Sequence, residues 1–470
     1  MKKTGIGIKI ICACVLLLLV VYAGGCYYYG NHFQRGTLID QVDVSNLTVQ
    51  DLADRVDAYF LRIQERKSDG SSYEESIDGK AIDLSYASTE PLQQILSEQN
   101  QYLWFVPQHE EHETEALLSY NKDKLTQAVQ ALKGFEEDFA QAPTNAHISE
   151  YTPETGFSIV AETQGNELDQ AKTLEVISNA VEELKGLVNL DAEGCYETPA
   201  VTSDSEELQN TLQKLQKYGT VTITYRFGDN IEVLDGSTIS TWLEVDGFAV
   251  TLDQTQVENY VATLRKKYDS IFRSRTFMTS YGKEITVDGG DYGWWMNYQQ
   301  EAKELAAQIE TGESGERTPV YYQTAASYGA PDYGDTYVEI NLTAQHLFFY
   351  KDGQLVMESD FVSGNSARGY DTPEGTYSIT YKQRNATLVG ENYETPVSYW
   401  MPFNKNIGMH DATWRSSFGG TIYKTKGSHG CINMPYEKAQ ELYGYIEKGT
   451  PVICYHLAGT ERFTESELEK

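Results

Sequence analysis

Basic residues are scarce in this chain: 37 Lys and Arg stand against 69 Asp and Glu, a formal net charge of −32 over 470 residues. Nucleic-acid binding needs Lys and Arg clustered against phosphate, so the shortage excludes a nucleic-acid partner. The excess of acid reads as solubility and says little about substrate. Cysteine is scarce too. Six occur, at positions 12, 14, 26, 195, 431 and 454, and the first three lie in or beside an N-terminal apolar segment. The other three are too few for a disulfide framework in so long a chain, and they leave at least one thiol free. A Cys195–Cys454 bridge finds no support in so wide a separation. There is no shortage of core-forming residues: hydrophobic residues make up 40% and charged residues 23%, so disorder is not the reading.

Only one long apolar run is present, and it decides the compartment. Lys2, Lys3 and Lys9 precede a segment from Ile10 to about Tyr29, with an uninterrupted core Val15-Leu16-Leu17-Leu18-Leu19-Val20-Val21. About 20 residues span a bilayer, and flanking lysines favour the cytoplasmic side. Two other readings compete. A cleaved signal peptide lacks a clear A-x-A site, and the lipobox-like Ala23-Gly24-Gly25-Cys26 lacks its usual Leu. All three place the remaining body outside the cytoplasmic membrane. The uncleaved anchor is the reading adopted: residues 1–30 are a cytoplasmic tip and a transmembrane helix, which makes a single-pass protein of the cell membrane with an extracytoplasmic body.

The length allows two to four domains. Residues 31–213 read as an α+β domain. Its opening alternation, Gly36 to Ser45, predicts a short strand, and Ser45 or Thr48 could cap a helix beginning near Val49. Helical patterning recurs at Asp123–Phe139 and Leu168–Leu187, with a strand at Gly156–Val160 between them. Residues 214–330 read as a second accessory domain with a linker. Val221–Tyr225 alternates as a strand, Gln254–Lys267 has helical spacing, and Ile285-Thr286-Val287 leads into Gly289-Gly290-Asp291-Tyr292-Gly293-Trp294-Trp295. The glycines predict a tight turn or bulge. The tryptophans read as core or interface anchors ahead of a carbohydrate platform. Ala325–Asp335 reads as a linker.

Residues 331–458 are β-dominated. Tyr337–Leu342 alternates, and His346–Tyr350 and Gln354–Ser359 flank Lys351-Asp352-Gly353, an Asp-Gly hairpin signal. Thr372-Pro373-Glu374-Gly375 predicts a turn before the strand Thr376–Tyr381. Pro435 opens a helix through Ile446, and Val452–Tyr455 closes the domain. Many short strands and one late helix predict a β-sandwich-like fold. Residues 459–470 form a C-terminal tail.

The chemistry concentrates in Gly408-Met409-His410-Asp411, then, after a gap that brings the count from Asp411 to Gly427 to seventeen residues, Ser428-His429-Gly430-Cys431-Ile432-Asn433. A cysteine attacks as thiolate and needs a base or a positive neighbour. His410 and His429 are both available. On a strand, His429 and Cys431 would share a face. Gly430 would let a substrate carbonyl approach, and the N–H groups of Gly430 and Cys431 could receive an oxyanion. Asp411 could orient the His410 imidazole, and Asn433 fixes the loop by hydrogen bonds. Zinc is the rival use of His410, His429 and Cys431, but no fourth ligand or usual ligand spacing accompanies them. Cys454, in an apolar strand, reads as a small core hydrophobe. Residue types alone therefore point to a Cys-His acyl transferase or hydrolase with no metal and no organic cofactor.

The segments Gly408-Met409-His410 and Ser428-His429-Gly430-Cys431-Ile432-Asn433 resemble the signature of L,D-transpeptidases with the YkuD catalytic domain. Tyr337–Asn341, Thr372–Gly375 and Trp400-Met401-Pro402-Phe403 extend the likeness. Asp43–Thr48 and Gly289–Trp294 resemble the peptidoglycan-binding accessory domains that precede it in Gram-positive members. The resemblance implies a mainly β catalytic domain behind α+β accessory domains. It implies a thioacyl-enzyme on Cys431, made from a donor tetrapeptide stem with loss of D-Ala and resolved by a side-chain amine of an acceptor stem into a 3→3 cross-link. His410 would be the general base and acid, with Asp411 at the position that orients it. Ser428, His429 and Gly430 would shape the thiolate and oxyanion environment. Many members carry Arg where this chain has Asn433, which touches substrate detail and not the activity. Acylation by carbapenems follows as an expectation. The alternatives are an L,D-carboxypeptidase, with water as acceptor, and an inactive cell-wall-binding scaffold.

Overall fold

Apolar side chains at consecutive positions build the first element. A computed structural model describes residues 4–462 apart from 108, 114–117 and 391–392. The first residues of the expected cytoplasmic tip and residues 463–470 of the expected tail lie outside the described residues. Thr4–Tyr29 is one helix, and its stretch Ile8–Tyr29 is long and apolar enough to cross a membrane. Leu16, Leu17, Leu18 and Leu19 in its middle are exposed, whereas Tyr29 at its end is buried and stacks on Trp104. The described residues otherwise fall into two compact units, 1–149 with 159–209 and 150–158 with 210–470.

The two upstream regions repeat one architecture, which periodicity alone did not reveal. In the first unit, Phe60–Arg66 pairs antiparallel with Ser72–Asp78, and Leu187–Asn189 joins the other edge of Phe60–Arg66 in parallel. The helices Lys122–Gln130 and Gln170–Glu182 pack on it. In the second unit, Ile223–Phe227 pairs with Asn230–Leu234, and Gly315–Arg317 closes in parallel. Its helices are Gln254–Tyr268 and Tyr298–Thr311. The expected helices at 123–139 and 168–187 are shorter, because the helical pattern runs into the 3-10 turn at Lys133–Phe135 and the positive φ of 52° at Leu184. The strand expected within Gly36–Ser45 is a hairpin, Leu38–Ile39 against Val42–Asp43, turned by positive φ at Asp40 and Gln41. Thr48 caps the next helix in a capping box with Asp51.

Among the described residues, the C-terminal part of the second unit carries nine strands. They are β1 (Tyr337–Asn341), β2 (His346–Lys351), β3 (Gln354–Asp360), β4 (Gly375–Ser378), β5 (Gln383–Gly390), β6 (Tyr393–Asn404), β7 (Ile407–Asp411), β8 (Ile432–Met434) and β9 (Pro451–Tyr455). One sheet has the order β3-β2-β1-β9-β4 and the other β5-β6-β7-β8. Side chains alternating from both sheets, including Ile340, Phe349, Met401, Met409, Ile432 and Val452, meet in one core with Leu442 of the helix Tyr436–Tyr445. The β2–β3 hairpin turns on Asp352 and Gly353, both at positive φ, as the Asp-Gly pair predicts.

Residues 325–335 are irregular but packed, unlike a free linker. Asp332 accepts from Arg275 Nε at 2.7 Å and Nη2 at 2.8 Å, and from Ser270 Oγ at 2.6 Å. Tyr333 enters a second core made of Phe277, Val287, Tyr292, Ile453 and Tyr455. That core joins the hairpin Arg275–Met278/Glu284–Val287 to β9, so it is shared between accessory and β-rich parts. The Gly289-Gly290 pair serves the same junction. Both residues have φ above 80°, and a Cβ on Gly290 would lie 2.0 Å from Thr376 O. Backbone therefore meets backbone there: Thr376 N donates to Gly289 O at 3.1 Å, and Tyr292 N to Thr376 O at 3.0 Å. Trp294 is an anchor, stacked on Tyr328 at 3.9 Å with its Nε1–H on Ser327 O, whereas Trp295 is partly exposed beside Tyr322.

Arg275 and Asp332 are both almost fully buried, and removing one partner leaves an uncompensated buried charge. Asp332→Ala is expected to cost about 3–5 kcal/mol. At roughly 2–4 °C per kcal/mol for a large unit, the corresponding melting transition falls by about 6–20 °C. The double variant Arg275→Met/Asp332→Leu should lose less, because no charge is stranded. Thermal denaturation of the three proteins checks this, and an unchanged Tm for Asp332→Ala would show that the pair contributes nothing.

Candidate active site

The register of two parallel strands builds the site. Met409 pairs with Ile432, His410 with Asn433 and Asp411 with Met434. Side chains alternate, so Met409, Ile432 and Met434 enter the core while His410 and Asn433 face the other way. Cys431, one residue before β8, packs on that second face against Ala386, Val397 and Trp400, apart from the main core. His410, Cys431 and Asn433 are therefore brought together, and each is 7% exposed or less. The rings of Trp400 and Trp414 each stand 5.9 Å from His410.

His429 and Cys431 do not share a strand. Ser428 bridges to Gly364, residues 429 and 430 form a bend, and β8 begins only at Ile432. The cause lies in the local hydrogen bonds. Ser428 Oγ donates to Cys431 O at 2.6 Å and accepts the Gly430 N–H at 3.0 Å, which closes a tight turn. Thr372 Oγ1 donates to Gly430 O at 2.7 Å and pins that turn from outside. Gly430 has φ of 114°, which an L side chain rarely adopts. The Gly430 N–H, expected as an oxyanion donor, is thus spent on Ser428. His429 is exposed, its ring 4.7 Å from that of Tyr370.

Asp411 is also placed differently from the expectation. Its carboxylate accepts the N–H groups of Ser398 at 2.7 Å and Tyr399 at 2.8 Å, tying β7 to β6. The atom that orients the imidazole is its main-chain carbonyl, 2.8 Å from His410 Nδ1. That contact puts the proton on Nδ1 and leaves the Nε2 lone pair facing Asn433. The amide orientation that satisfies both neighbours has Asn433 Nδ2 donating to His410 Nε2 at 3.1 Å. Its oxygen then accepts from Arg415 Nε at 2.8 Å and Nη2 at 3.3 Å. Arg415 was not legible in sequence: it lies in the loop between the two motif halves, outside both.

Electrostatics keep the resting pair uncharged. Burial lowers the His410 pKa from its ordinary 6.5, and the nearby Asp411 only partly opposes this. Burial pushes the Cys431 thiol up to about 11, against the Gly408 N–H that favours thiolate. The Sγ–H points to Asn406 O at 3.6 Å. The site holds a neutral thiol and a neutral imidazole on one sheet face.

Residues 335–454 match the family model of the L,D-transpeptidase catalytic domain (YkuD), and 75–189 and 201–317 match the one described as "Putative peptidoglycan binding domain". Among solved structures, a cysteine-to-serine variant of the Enterococcus faecium L,D-transpeptidase is 36% identical, covering 53% of this chain and 100% of that one with TM-score 0.43. The Ldtfm–avibactam carbamoyl enzyme is also 36% identical, covering 53% and 98% with TM-score 0.44. The catalytic domain of the E. faecium enzyme acylated by ertapenem is 45% identical, covering 26% and 98% with TM-score 0.25. No curated protein matches. The fold is that of a β-type L,D-transpeptidase catalytic domain behind two domains of the putative peptidoglycan-binding family. The chain belongs to the L,D-transpeptidase family.

Proposed function

We propose that the chain forms 3→3 cross-links in peptidoglycan through a thioacyl-enzyme on Cys431, with His410 as general base and acid. The observation that carries this is the placement of a buried imidazole on β7 and a buried thiol one residue before β8 on one sheet face, in a chain of this family. His410 takes the Sγ proton as sulfur attacks the carbonyl carbon of stem residue 3. The bond to the nitrogen of D-Ala breaks, and His410 returns the proton to that leaving amine. An acceptor side-chain amine then attacks the thioester, the C–S bond breaks, and the thiol is restored. Ser428 and Thr372 hold the Gly430 turn that presents Cys431. We assign residues 31–213 and 214–330 to accessory domains that hold the 331–458 domain against the wall, and the N-terminal helix to an uncleaved membrane anchor. Carbapenem acylation of Cys431 is expected, as the ertapenem adduct of the E. faecium relative suggests.

Mass analysis of the products of a disaccharide-tetrapeptide incubated with the full chain tests this. Dimers lacking one D-Ala support transpeptidation. Tripeptide without dimer would reassign the chain as an L,D-carboxypeptidase, and no turnover would favour a wall-binding scaffold.

A further inference from the structure

Arg415 belongs to neither motif half and takes no part in the proton transfers above. Its guanidinium is half-buried, and burial alone lowers its pKa from 12.5. Other shielded arginines in this unit are paired with acid, Arg275 with Asp332 and Arg317 with Glu301. Among the described residues Arg415 has no carboxylate within ion-pair distance, and its side-chain partner is the neutral Asn433 amide. A guanidinium offers five donors in a planar fork matched to a carboxylate, so one amide oxygen leaves it under-used.

Its position says which carboxylate would fit. Cys431 and Asn433 are two residues apart on an extended segment, a rise of about 6–7 Å along one face. In a donor tetrapeptide the terminal carboxylate lies one residue beyond the scissile carbonyl, about 3.5 Å further along. With that carbonyl at Cys431, a stem running along the strand towards Asn433 would bring the carboxylate to the Arg415 side of the face.

We propose that Arg415 reads the free C-terminal carboxylate of the donor stem. The proposal rests on the transpeptidase reading of Cys431, because the leaving residue is the one that carries this group. Engagement has a second consequence. An arginine drawn to the carboxylate gives up Asn433 Oδ1, and the amide can turn over. Its oxygen then accepts from His410 Nε2–H, the state reached once His410 has taken the thiol proton. A donor that ends in a carboxylate thereby prepares the base, and one that does not leaves Asn433 capping Nε2.

Calorimetric binding to the full-length Cys431→Ala chain tests the proposal without turnover, using the tetrapeptide and its C-terminal amide as probes. The free carboxylate is expected to bind roughly 10–100-fold tighter, the usual range for a charge-assisted pair. Arg415→Gln in the same background should bind both probes alike and weakly, and Arg415→Lys should restore part of the preference. In the chain that retains Cys431, Arg415→Gln should abolish the kcat/KM advantage of the carboxylate donor over the amide donor. Equal binding of both probes by the parent, or a preference that survives in both Arg415 variants, would overturn the proposal. Discriminating binding in a chain that yields neither dimer nor tripeptide would support the role of Arg415 and count against the transpeptidase reading instead.

Discussion

Cys431→Ala is expected to lower the rate of acylation by about 10⁶, the scale seen when a covalent nucleophile is removed. The size follows from what remains. Without Sγ the site still binds a stem peptide and still holds His410, but no atom on that sheet face can form the covalent intermediate. The structural cost should be small, since alanine gives up the sulfur's packing with Ala386, Val397 and Trp400 and its long contact with Asn406 O. Two other buried cysteines are the controls. Cys195 is fully buried in the first unit's core, its thiol pushed up by burial to about 11, and Cys454 is fully buried in β9. Alanine at either position should leave kcat unchanged while costing stability. Initial rates of D-Ala release by the three variants check this. Substantial release by Cys431→Ala would dismiss the nucleophile assignment.

His410→Ala should slow acylation by about 10² to 10⁴, the range for losing a positioned general base. The pH profile separates a base from a packing residue. Burial holds His410 below its ordinary 6.5, so the active neutral imidazole persists as pH falls through that value. The acid limb of kcat/KM therefore begins below pH 6.5, where protonation of His410 removes the base. No alkaline limb is expected until the thiol ionises near 11. In His410→Ala the acid limb should disappear along with the rate. A wild-type acid limb centred above pH 7 would assign the base to some other group.

Much of this was readable from the chain because the signals were local. The Asp352-Gly353 turn, the helix at 254–268 and the closing strand at 451–455 each follow from adjacent residues. The residue types around His410 and Cys431 pointed to a Cys-His acyl transferase or hydrolase without naming the substrate. What failed to show was set by contacts between distant positions. Nothing near Asp411 says that its carboxylate will serve two N–H groups of β6 and leave its carbonyl to the imidazole. Ser428 drawing the Gly430 N–H out of the expected oxyanion site depends on a turn that only tertiary packing against Thr372 fixes. Residues 325–335 have a linker's composition, yet Asp332 finds Arg275 across 57 positions. Gly289-Gly290 read as a turn, although the deeper requirement is the approach of another backbone at Thr376.

The central claim is that Cys431 carries the acyl group. Its most direct test is the intact mass of the full-length chain mixed rapidly with a disaccharide-tetrapeptide, followed by peptide mapping of the adduct. The account predicts a mass gain equal to the donor less D-Ala, located on Cys431, absent from Cys431→Ala and discharged by an added acceptor amine. An adduct on any other residue, or one that persists in Cys431→Ala, would contradict it.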